Sequence, residues 1–241
     1  MGIYTSKYKV LFEDTDKNLE IKNTVLMRYL IDSAGMHSEQ AGYGISNVQK
    51  THIVFLLTGW QVKILKHPKL LDEVIVKTWP ETLSHSLSTR NFEVYVQDEL
   101  VALASTKWIM VNSETHAVMS VTEEITNAYG PIKQAVFDKP IPKLQIPDYF
   151  DDSYDYIIKR RDIDSNNHVN NLKYIEFALE LLPEHLYLKE SFSEIFVNYK
   201  NECKLGDEIT CSYTKINDEE HVFTIQSKDK TKLHSIVKLK K

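Results

Sequence analysis

Asp162-Ile163-Asp164-Ser165-Asn166-Asn167-His168-Val169-Asn170-Asn171-Leu172-Lys173-Tyr174-Ile175 is the stretch on which the reading of this chain turns. It holds the densest polar run in the sequence, and it has an altered copy upstream. Asp14-Thr15-Asp16 matches Asp162-Ile163-Asp164, and Arg28-Tyr29-Leu30 matches Lys173-Tyr174-Ile175, with three more residues between these points in the first copy. Before each copy lies a strand-like segment, 7–12 and 153–162. After each comes a helical stripe. In 24–41 it runs through Leu26, Leu30, Ala34, His37 and Ala41, and in 168–182 through Leu172, Ile175, Leu179 and Leu182. Gly42 and Gly44 stop the first helix and Pro183 the second.

Four β-rich segments follow each helix. They span 53–66, 73–82, 87–97 and 100–112 in the first half, and 193–204, 208–216, 220–228 and 232–239 in the second. Between the halves, Gly130, Pro131, Pro140, Pro142 and Pro147 forbid regular structure. One strand, one long helix and an antiparallel run of strands, twice over, is the hotdog order. The expectation is an α+β tandem (double) hotdog, with two long helices each wrapped by an antiparallel sheet. Its parts are an N-terminal domain at 1–129, a linker at 130–150 and a C-terminal domain at 151–241. Neither helix buries its apolar stripe alone, so each needs its sheet.

The bulk numbers narrow the class. Of 241 residues, 42% are hydrophobic and 26% charged, which suits a packed globular chain. No apolar run is long enough for a transmembrane helix, and the N-terminus lacks the pattern of a signal peptide. The net charge of −5 disfavours a generic nucleic-acid binder. Two cysteines, Cys203 and Cys211, make no disulfide framework and suit a reducing cytosol. Phosphate-loop, dinucleotide and Gly-x-Ser-x-Gly motifs are missing, and the scattered histidines lack metal-ligand spacing, so neither a cofactor nor a metal is expected.

The polar run admits two readings. Asp, Ser and Asn are ordinary turn and helix-cap residues. Against that, Asp164, Asn166 and His168 alternate, so an extended loop turns all three to one side. A helix N-terminus, with free N–H groups suited to an oxyanion, is expected to follow at once. The helix register sets Asn23 opposite His168 in the first half, so the two copies differ here.

Asp164-Ser165-Asn166-Asn167-His168-Val169-Asn170-Asn171, with Lys173-Tyr174-Ile175 and Tyr199-Lys200-Asn201-Glu202-Cys203, resembles the catalytic segments of the plant and bacterial acyl-ACP thioesterases. Trp60-Gln61-Val62, Val76-Lys77-Thr78-Trp79 and Lys107-Trp108-Ile109-Met110-Val111-Asn112 fall where that family has comparable strands, so the similarity covers nearly the whole chain. The resemblance implies hydrolysis of fatty acyl thioesters on acyl carrier protein to free acid, in a bacterial cytoplasm, by a monomer or homodimer. It implies Asp164, Asn166, His168 and Glu202 as the catalytic set, with Cys203 at a position once given a nucleophilic role in the family. Glu202 is preferred to Cys203, because a mid-strand cysteine is usually a small buried residue and adjacent strand residues face opposite ways. On this reading Glu202 and His168 deprotonate a water; a rival assignment makes Asp164 a nucleophile. The resemblance also puts the acyl pocket in the first domain, with Leu26, Leu30, Phe55, Leu57 and Trp60 as candidates. Three alternatives stay open: an acyl-CoA thioesterase, a hotdog dehydratase and a non-catalytic acyl-binding protein.

Overall fold

A computed structural model describes residues 2–189 and 192–241. The chain divides into two compact units, one of residues 1–58 and 62–141 and the other of 59–61 and 142–241. The first unit begins with β1 (Tyr4–Lys9) and α1 (Asn23–Gln40), followed by a single helical turn, α2 (Val48–Thr51). Four long strands come next: β2 (Ile53–Ile64), β3 (Glu73–Ser84), β4 (Leu87–Val96) and β5 (Glu99–Asn112). A short α3 (Glu123–Tyr129) closes the unit. The second contains β6 (Asp152–Ile157), α4 (Lys173–Leu179), α5 (Glu184–Lys189), β7 (Glu194–Tyr199), β8 (Glu208–Lys215), β9 (Glu220–Ser227) and β10 (Leu233–Lys240).

The two units share one topology. In the first, the strands lie in the order β1-β3-β4-β5-β2, and in the second β6-β8-β9-β10-β7. Counted within its own unit, each sheet reads first, third, fourth, fifth, second. β1–β3, β3–β4 and β4–β5 are antiparallel, as are β6–β8, β8–β9, β9–β10 and β10–β7. Gln97 and Asp98, both at positive φ, make the tight turn between β4 and β5.

α1 buries Leu26, Met27, Tyr29, Leu30, Ser33, Ala34 and His37, a stripe at the spacing of one helix face. The second helix is shorter than the stripe in 168–182 suggests. α4 starts at Lys173, after the Asn170 carboxamide and carbonyl have taken the N–H groups of Leu172 and Lys173. It ends at Leu179, residues 180–182 form a turn, and α5 begins after Pro183. The apolar residues past Leu179 still face inward, since Leu181, Leu182 and Leu186 are all buried. They do so from a turn and a second helix, because Pro183 has no N–H to continue the first.

The proline-rich segment has no helix or strand, but it is tied down. Gln134 accepts from the Trp79 indole and the Asn91 amide, each at 2.9 Å, within the first unit. In the second unit, Leu144 N–H donates to Asn198 Oδ1 at 2.8 Å.

Candidate active site

The polar run forms a tight turn and not an extended loop. Ile163 and Val169 pair as an isolated antiparallel bridge. Inside it, Asp164 N–H donates to the His168 carbonyl at 2.9 Å, and Asn167 N–H to the Asp164 carbonyl at 3.2 Å. Asn167 takes a φ of 61°, a conformation asparagine tolerates better than most residues. The Asp164 carboxylate accepts Asn166 N–H at 2.8 Å. Asp164, Asn166 and His168 therefore share one turn, but a common side does not follow from their alternation.

Glu202 also sits outside regular structure. β7 ends at Tyr199, so Glu202 and Cys203 lie in the following loop and not in mid-strand as the sequence suggests. Two backbone links fix this loop against the first. Val169 N–H donates to the Cys203 carbonyl at 2.9 Å, and Cys203 N–H to the Tyr174 hydroxyl at 3.1 Å. His168 precedes Val169 and Glu202 precedes Cys203, so the Val169–Cys203 bond holds these two side chains abreast. His168 Nε2 lies 3.0 Å from Glu202 Oε2, with side-chain exposures of 25% and 52%. A carboxylate accepts, so Nε2–H donates and Nδ1 is the nitrogen left to take a proton. An open pocket of about 520 Å³ lies on the Glu202 side, lined also by Asp207, Lys228, Lys232 and His234.

Cys203 is fully buried, and burial pushes its thiol up to about 12 against the opposing hydrogen bond from Tyr174. A thiol so placed is almost never a thiolate at neutral pH. The helix N-terminus expected beside His168 is displaced too, since α4 begins five residues later.

Two residues that support the site stand out only in the structure. Tyr174 is buried on α4 and anchors the Glu202 loop through Cys203. Asp162 is buried and accepts Tyr156 O–H at 2.9 Å and Lys159 N–H at 2.8 Å, pinning the start of the turn. Both belong to the repeated signature, Asp162 matching Asp14 and Tyr174 matching Tyr29, so the repeat carried a signal for them. Of the pocket candidates, Leu26 and Leu30 are buried on α1, and Leu57 and Trp60 on β2. Phe55 is partly buried, edge-on to the Tyr129 ring at 5.9 Å. Among the described residues, no group of three or more His, Cys, Asp or Glu is placed to hold a metal ion.

The repeated topology, with an acid–imidazole pair between two loops of the second unit, defines a tandem hotdog protein carrying a polar site. The family model described as the acyl-ACP thioesterase N-terminal domain matches residues 2–129, and that described as the C-terminal domain matches residues 148–239. The chain belongs to the acyl-ACP thioesterase family. The chloroplastic oleoyl-acyl carrier protein thioesterase of Coriandrum sativum is 23% identical over 244 residues, covering 92% of this chain and 65% of its own length. The chain spans less than two thirds of this and two further curated relatives, at 65%, 60% and 64%. An acyl-ACP thioesterase from Bacteroides thetaiotaomicron has the same fold, with a TM-score of 0.88 at 23% identity over 99% of this chain and 97% of its own. A 12:0-ACP thioesterase from Umbellularia californica matches with a TM-score of 0.88 at 18% identity over 99% and 96%.

Proposed function

We propose that this chain hydrolyses fatty acyl thioesters carried on acyl carrier protein, releasing free fatty acid, with His168 and Glu202 activating the water. The observation that carries this reading is the 3.0 Å contact between His168 Nε2 and Glu202 Oε2, both groups reached by solvent. Glu202 accepts from Nε2–H and keeps the imidazole oriented, and Nδ1 takes a proton from water as its oxygen attacks the thioester carbon. On collapse the C–S bond breaks and the imidazolium returns the proton to the departing sulfur. Asp164 holds the turn that presents His168. Asn166, exposed on that turn, supplies a carboxamide to the carbonyl oxygen, in place of the helix terminus that lies too far along the chain.

The acyl carrier is the natural partner on this reading. An acidic carrier needs local positive charge on a chain of net charge −5, and exposed Lys200 and Lys204 flank Glu202. The acyl chain is assigned to the N-terminal domain at 1–129, with Leu26, Leu30, Phe55, Leu57 and Trp60 as the candidates, and the setting to a bacterial cytoplasm. No helix among the described residues is long and apolar enough to cross a membrane.

The test is product analysis with one acyl chain presented on carrier protein and on CoA. The expected result is free fatty acid with a higher kcat/KM on the carrier. Preference for CoA moves the assignment to an acyl-CoA thioesterase, an enoyl product to a dehydratase, and binding without release to an acyl-binding protein. Labelled oxygen from water entering Asp164 in a single turnover would make Asp164 the nucleophile and overturn the water mechanism.

A further inference from the structure

The backbone hydrogen bonds of the second unit's turn recur in the first, although the Cys203–Tyr174 bond does not, because Pro68 stands at the Cys203 position and has no N–H. Thr15 and Ile21 form the bridge that Ile163 and Val169 form later. Asp16 N–H donates to the Glu20 carbonyl at 2.8 Å, as Asp164 does to His168 at 2.9 Å. The Asp16 carboxylate accepts Asn18 N–H at 2.8 Å, as Asp164 accepts Asn166. Leu19 takes a φ of 60° where Asn167 takes 61°. Ile21 N–H donates to the Pro68 carbonyl at 2.8 Å, as Val169 donates to Cys203 at 2.9 Å. This equivalence corrects the register drawn from the helices, for the three extra residues of the first copy fall after the turn. Asp16 stands for Asp164, Asn18 for Asn166, Glu20 for His168 and His67 for Glu202. The second unit's imidazole position holds a carboxylate in the first, and its carboxylate position holds an imidazole.

His67 bonds Asn23 here, while Glu20 Oε1 stands 3.9 Å from Lys69 Nζ. His67 Nε2 lies 2.9 Å from Asn23 Oδ1, which accepts, so Nε2–H donates and Nδ1 is again the basic nitrogen. Asn23 thus orients this imidazole as Glu202 orients His168. Burial pulls the pKa of His67 below its ordinary value, against the opposing pull of the Glu20 and Asp16 carboxylates, so the ring is neutral at neutral pH. The Glu20 side chain is 25% exposed, and Asp16 and Asn18 are exposed, so the cluster opens to solvent.

We propose that the first unit holds a second hydrolytic centre, in which His67 is the base, Glu20 and Asp16 supply negative charge beside it, and the substrates are thioesters. It rests on the same water chemistry as the proposed function but on separate residues. Water oxygen bonds to the thioester carbon as its proton passes to His67 Nδ1. The C–S bond then breaks and the thiol leaves with that proton.

The experiment silences the second-unit pair with His168→Ala/Glu202→Gln and follows thiol release from acetyl- and butyryl-CoA. Residual turnover above the uncatalysed rate is expected. Adding His67→Asn should cut it at least about tenfold, within the range of a lost general base. Adding Glu20→Gln, which preserves shape, should also reduce it and serves if His67→Asn fails to fold. Residual turnover at the buffer rate overturns the proposal, as does turnover that both first-unit changes leave intact in folded protein. Acyl-ACP hydrolysis by the wild type is read separately, so loss of the second centre leaves the first assignment standing.

Discussion

Glu202 and Cys203 are neighbours with opposite fates. Glu202 reaches solvent and His168, while Cys203 is enclosed and its thiol is raised to about 12, chiefly by burial. What Cys203 gives the site comes from its backbone, which accepts from Val169 and donates to Tyr174. Cys203→Ala keeps both links. It should hold kcat/KM within a few-fold of wild type while costing about 1 kcal/mol of stability for the lost packing. Steady-state kinetics beside a urea titration checks this, and a loss above about a hundredfold in folded protein would restore the cysteine to the chemistry, since general acid–base contributions start near that size. Sequence alternation put the two side chains on opposite faces and was right about which is buried. Its reason was wrong, because strand geometry ends at Tyr199 and the separation comes from the loop's hydrogen bonds.

The elements most legible in the sequence are those whose pattern repeats over many residues. α1 and seven of the eight β-rich segments were readable within a few residues because long runs of alternating or helical burial fix them, while the segment expected at 193–204 stops at Tyr199. α4 was not, because its start is set by Asn170 capping and its end by a turn before Pro183, and neither disturbs the apolar spacing. The 163–169 turn was hidden for a similar reason: it depends on one positive φ and one carboxylate–backbone bond. α4 matters to the site through Tyr174. Tyr174→Phe leaves the buried Cys203 N–H without its acceptor, at a cost of about 1–3 kcal/mol. If that bond positions the Glu202 loop, kcat falls while KM changes little; unchanged kcat in a folded variant would show that the loop holds itself. On α1 and β2, resizing Leu30 or Trp60 should shift chain-length preference without abolishing turnover. An unchanged product distribution across several such variants would count against that pocket.

At the scale of the whole chain, the duplicated topology was legible from the repeated signature, but the matching of the two turns was not. The three-residue difference in spacing hid the correspondence of Glu20 with His168 until the backbone bonds displayed it. The first unit also holds a buried group that responds to acid. His37 is 1% exposed with Nδ1 at 3.0 Å from Arg90 Nη1, and its pKa falls to about 4, from burial first and the Arg90 charge second. Folded His37 thus binds a proton less readily than in the unfolded chain, so its neutral form is stable above the ordinary histidine pKa. Stability is lost as pH falls from there toward 4. The loss by pH 4.5 is on the order of 2 kcal/mol. His37→Gln, which keeps an acceptor for Arg90, should flatten that part of the curve in urea titrations across the range; an unaltered slope would mean that another group dominates. The central claim is that His168 and Glu202 act as one catalytic unit, and a double-mutant cycle on acyl-ACP hydrolysis tests it most directly. His168→Ala and Glu202→Gln should each lower kcat/KM by about 10²–10⁴ with the fold intact, and the double variant should be little worse than the poorer single. Near-normal turnover in either single variant, or losses that simply multiply in the double, would contradict the account.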